Sequence, residues 1–147
     1  MRIKPTPPCP AERRQRVSPA VLLALGTAFG MLSWLASRAA SGRFEPYDSG
    51  EGLLINQLVL SIPAIFLALR YRASAPFLFL GGAYFGMNAY SYGFGGTEAK
   101  AWAALGAVTS LFLLVLPAAL ATALTVIRRV RHGRPLPTDR GSHSGQA

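Results

Sequence analysis

AWAALGAVTSLFLLVLPAALATALTVI, residues 101–127, decides how this chain is read. It runs 27 residues without a charge and ends in a basic run holding Arg128, Arg129, Arg131 and Arg134. A helix needs about 20 apolar residues to cross the hydrocarbon core of a bilayer. This stretch is long enough to cross with some tilt. A helix apolar on every side has no place in a soluble domain of 147 residues. The chain therefore reads as an all-α integral membrane protein, with its other apolar segments as companions of this one.

Three more uncharged runs precede it. Residues 17–37 lie between Arg16 and Arg38, and Ser18-Pro19 supplies an N-cap followed by proline in the first turn. Residues 52–69 carry Asn56, Gln57 and Pro63. Residues 73–97 lie between Arg72 and Glu98, with Ser74 and Pro76 suited to a helix start. The expected architecture is four transmembrane helices in a compact bundle spanning 17–130, with helices near 17–37, 52–69, 74–97 and 101–128. Residues 1–16 form a basic, Pro-rich tail, and the Gly/Pro/Ser-rich residues 131–147 a second; both are expected to be disordered and cytoplasmic. A cleaved signal peptide is the rival reading of the first run, because basic residues precede it. The run exceeds the usual apolar length of such peptides and holds Trp34 near its outer end.

The net charge is +9. In a soluble chain that would raise nucleic acid first, but here the basic residues sit at the ends of apolar segments, so no nucleic-acid partner is expected. Residues 1–16, 70–72 and 128–147 together hold 12 of the 15 Lys and Arg. Arg38, Arg43 and Lys100 fall in the alternate loops, with Glu45, Asp48, Glu51 and Glu98 beside them. Basic residues accumulate on the cytoplasmic face, so both termini are expected there. The Ala/Arg/Gly/Pro-rich composition suggests a bacterial inner membrane. Arg16, Arg70, Arg72, Arg128, Arg129 and Arg131 would then form a cytoplasmic basic collar in contact with anionic membrane lipid.

Lipid tails are as apolar as leucine, so close backbone approach must supply much of the helix association. Gly26 and Gly30 are four apart in the first run, Gly82 and Gly86 in the third. These are the expected helix-packing positions, serving the bundle itself or a second copy or membrane-protein partner. Pro63 and Pro117 each remove a backbone donor, which frees the carbonyls of Val59 and Leu113.

Polar groups inside a bilayer are costly and are site candidates for that reason. Asn56, Gln57, Tyr84, Asn88 and Tyr90 all map to the outer half of the spans. One reading makes them an aromatic belt with interfacial amides. The other makes them an outer-leaflet cleft between the second and third helices, suited to a lipid headgroup or small amphiphile.

No uncharged run contains Asp, Glu, His, Lys or Arg, which excludes intramembrane haem ligation, a proton-relay carboxylate and metal-dependent proteolysis. Cys9 is the single cysteine, so no intrachain disulfide forms. No catalytic residue, metal site or cofactor is expected. The size is similar to that of small multidrug exporters and claudin-like tetraspans. The membrane-embedded Glu of the former and the paired extracellular cysteines of the latter are missing here. The expected function is a non-enzymatic membrane subunit, structural, accessory or lipid-interacting. The alternative is a homo-oligomeric transporter of a small molecule or lipid working from the outer cleft. A lipid-directed enzyme resting on Asp48, Glu51 and Glu98 is a third and weaker reading.

Overall fold

The computed structural model describes residues 17–101 and 103–132, with Glu98, Ala99, Ala103 and His132 described by backbone alone. The described residues are helical with no strands: α1 (Pro19–Ser41), α2 (Gly50–Arg70), α3 (Ala75–Phe94), the short α4 (Thr97–Ala101) and α5 (Ala103–His132). A single 3-10 turn, Pro46–Asp48, lies in the loop between α1 and α2. Arg16 and most of both tails fall outside the described residues.

The helix ends follow capping chemistry rather than charge. Arg38 does not stop α1, which continues to Ser41 and ends where Gly42 turns left-handed at φ 68°. Glycine takes that conformation without a Cβ penalty, and the Gly42 N–H donates to the Arg38 carbonyl at 2.9 Å. Ser49 opens α2 two residues earlier than expected, its hydroxyl accepting the Gly52 N–H at 3.0 Å. At the other end, α3 closes at Phe94, three residues before the expected limit, because Gly95 is extended. α5 runs on through Arg131 to His132, so the tail expected from 131 begins later.

Cross-helix contacts fix the direction of each element. Ser37 reaches Gly52 and Asn56 reaches Ser33, so α1 and α2 are antiparallel. The Leu23 carbonyl lies over Gly82 and the Thr27 carbonyl over Gly86, so α1 and α3 are parallel. Gln57 meets Leu113 and Arg128 meets Ala68, so α2 and α5 are parallel. The four long helices therefore alternate in direction. The start of α1, the 71–74 turn and the end of α5 share one end of the molecule; the 42–49 loop and α4 share the other. α2 and α3 touch all their long neighbours, while α1 and α5 flank them and do not meet among the described residues.

α1 against α3 is the most extensive contact. Gly26, Gly30, Gly82 and Gly86 all lie in it. A Cβ on any of the four would overlap a backbone carbonyl of the other helix, at Phe79, Ala83, Leu23 and Thr27 respectively. The two backbones touch directly, a geometry that suits Cα–H···O contacts and needs glycine. Two apolar clusters fill the rest of the interior. Leu22, Ala64, Leu67, Phe79 and Leu80 pack toward the end where α1 begins. Trp34, Leu60, Ala83, Met87, Tyr90 and Leu113 pack toward the opposite end.

α1, α2 and α5 are long and apolar enough to cross a membrane; their apolar windows have mean hydropathies of 1.7, 2.1 and 2.3. α3, expected as a fourth span, is not in that set. Its 20 residues are long enough, but Gly81, Gly82, Gly86, Tyr84, Asn88, Tyr90 and Ser91 dilute its hydropathy. The dilution has a partial structural reason: Gly82 and Gly86 meet the α1 backbone and Tyr90 packs on Trp34 of α1, so α3 contributes packing surface where α5 contributes bulk. Nine of its residues are buried, against six in α1.

Candidate functional site

A few polar side chains lie within the mostly apolar interior, while large apolar side chains cover much of the exterior. Ser33, Ser37, Asn56, Ser61 and Ser110 are buried. Leu54, Ile62, Phe66, Phe85, Phe112 and Val115 each remain more than half exposed, with many similar residues around them. Monomeric soluble proteins rarely expose contiguous apolar surface on this scale.

The five residues expected to line a cleft are used differently from one another. Asn56 is fully buried, and its Nδ2 donates to Ser33 Oγ on α1 at 3.0 Å. Ser33 in turn donates to the Gly30 carbonyl at 2.8 Å. One turn further along, Ser37 Oγ donates to the Gly52 carbonyl at 2.6 Å. Asn56 thus belongs to a polar ladder between α1 and α2, not to a space between α2 and α3. Gln57 turns the other way, and its Nε2 donates to the Leu113 carbonyl of α5 at 2.9 Å. That carbonyl is the one Pro117 leaves without its helical donor. Asn88 donates to Tyr84 O on its own helix at 2.8 Å, and Tyr84 packs edge-on against Phe85. Tyr90 is buried among the rings of Trp34 on α1, Phe44 in the 42–49 loop and Phe94 one turn along its own helix. The structure therefore brings no two of Asn56, Gln57 and Asn88 into hydrogen-bond contact.

Tyr90 belongs to an aromatic cluster that closes the end bearing the 42–49 loop. Phe44, from that loop, stacks on Trp34 at 5.9 Å and on Tyr90 at 6.1 Å between ring centroids. Phe94 follows Tyr90 at 4.8 Å. Arg38 lies 5.6 Å from the Phe44 ring centre, a cation–π contact at the rim. Beside it, burial raises the Tyr47 phenol well above its ordinary value, helped by its hydrogen bond to Glu45 and by the charges of Glu45 and Asp48. Ser33, Ser37, Trp34 and Phe44 were not among the expected site residues. The spacing of Ser33, Ser37 and Ser41 is a visible signal for the ladder; the folding back of Phe44 has none.

The opposite end is basic. Arg70, Arg72, Arg129 and Arg131 are exposed there, and Arg128 donates to the Ala68 carbonyl of α2. That bond ties the end of α5 to the end of α2. The acids Glu45, Asp48 and Glu51 lie at the far end. Among the described residues no group of three His, Cys, Asp or Glu side chains is placed to hold a metal. No known protein family, no curated protein and no solved structure matches this chain.

Proposed function

We propose that this chain is a four-span membrane protein of the bacterial inner membrane, with both termini cytoplasmic. It acts without catalysis as a structural or lipid-interacting subunit of a membrane assembly. The observation that carries the reading is the extensive leucine, phenylalanine and valine surface left exposed on helices long and apolar enough to cross a membrane. α3 is counted as a span because it lies parallel to α1 in backbone contact. It is also joined at both ends by short connections to helices of spanning length. The charge asymmetry supports the orientation. The inward use of Asn56 and Gln57 favours packing over transport from an outer cleft.

Co-purification from native membranes in mild detergent, followed by mass spectrometry of what stays bound, tests the proposal. A stoichiometric membrane-protein partner or retained lipid is the expected result. A lone protein that turns over a substrate by itself would overturn it.

A further inference from the structure

The basic end holds a cavity of about 340 Å³ between the beginnings of α1 and α3. Its depth is apolar, with Leu22 and Leu78, and its rim is polar, with Ser18, Ser74, Tyr71 and Arg72. α1 and α3 are parallel and in backbone contact, so their N-termini lie side by side at this cavity. Helices of 23 and 20 residues thus point the positive ends of their dipoles at one place. Ser18 and Ser74 hold the N-cap positions, yet neither hydroxyl caps its own helix. Both are therefore available as donors to a third party. The acids Glu45, Asp48 and Glu51 lie at the other end of the molecule and do not compete for Arg72.

From this cavity we infer that the chain has a specific binding site for the phosphate of an anionic membrane phospholipid. The phosphate sits at the rim, where Arg72 supplies charge and Ser18, Ser74 and Tyr71 supply hydroxyls; the first methylenes of an acyl chain rest against Leu22 and Leu78. An amphiphile matches this lining better than a soluble anion does, because half of it is hydrocarbon. Basic pockets between helices on the cytoplasmic side take anionic headgroups by the same physics. The site rests on the membrane reading above and narrows its lipid interaction to one location and one headgroup chemistry.

The test uses the full chain in a neutral detergent, with bound lipid counted by native mass spectrometry. Phosphatidylglycerol and phosphatidylcholine of identical acyl chains are compared, with inorganic phosphate as competitor. The expected result is about tenfold stronger retention of phosphatidylglycerol, unaffected by millimolar phosphate. Arg72→Gln removes the preference and Arg72→Lys keeps most of it, whereas the double change Ser18→Ala with Ser74→Ala weakens retention of both lipids, because both carry the phosphate. Arg129→Gln, in the collar but outside the cavity, lowers the preference far less than Arg72→Gln does. Equal loss in Arg72→Gln and Arg129→Gln would reduce the effect to general surface charge and overturn the site. Displacement by inorganic phosphate would overturn the lipid. Failure of the membrane reading itself shows separately, as release of the chain from membranes by alkaline extraction.

Discussion

Pro117 withholds a donor from Leu113, and Gln57 makes good the loss across the α2–α5 contact. Replacing Gln57 by leucine keeps the volume and orphans that carbonyl. The lost bond is worth about 0.6 kcal/mol on average and about 1.7 kcal/mol at most, offset in part because Gln57 Oε1 is buried without a partner among the described residues. Ser61 is the contrasting case. It is buried and its hydroxyl makes no hydrogen bond among the described residues, so Ser61→Ala removes a desolvation penalty without breaking a contact. Unfolding of both variants in mixed micelles checks the pair: Gln57→Leu unfolds earlier than the parent, and Ser61→Ala does not. Tyr47 gives a pH signature. Its folded phenol ionises later than an unfolded one, so the folded state retains a proton that the unfolded state gives up. The stabilisation is complete below the ordinary phenol range, near pH 10, and fades as pH rises beyond it. Ultraviolet titration against Tyr47→Phe should show the missing late step, and Glu45→Gln should move that step to lower pH.

At the scale of the helix, the glycines of α1 and α3 separate contact from composition. Gly86→Val puts a branched side chain against the Thr27 carbonyl, and because backbone cannot yield locally the two helices must part. Gly93 has open space around it, and the same change there meets nothing. Thermal denaturation in detergent should show a large loss for Gly86→Val and a small change for Gly93→Val. The existence of the long helices was legible in the chain because uncharged runs of this length have few other folds. The four glycines were legible as packing positions because their spacing repeats each helical turn. Helix ends were less so: Arg38 was read as a boundary, while Gly42 and Ser49 set the actual ones through backbone conformation and capping. The partners of the two amides were not legible for a plainer reason. Asn56 and Gln57 are neighbours in sequence, yet 100° apart on a helix, and each meets a different partner. Which partner each takes depends on the order of helices around α2, and no local pattern encodes that.

For the whole molecule, the alternation of the long helices puts the start of α1 and the end of α5 at one end. The proposed orientation can be read with one thiol at a time. Cys9 should resist a membrane-impermeant maleimide applied from outside intact cells. Arg43→Cys and Gly96→Cys, each in a Cys9→Ser background, should react; labelling of Cys9 from outside would reverse the topology. The α1–α3 seam also has a history. Its two halves are 56 positions apart, Gly26 to Gly82, with the whole of α2 between them. At a synthesis rate of about 5–20 residues per second, α1 waits on the order of 3–11 s before its main partner emerges. In the proposed membrane setting its glycine stripe faces lipid or the insertion machinery during that interval, so assembly is least protected early in biogenesis. Pausing translation between α2 and α3 would lengthen the period in which α1 lacks its main partner.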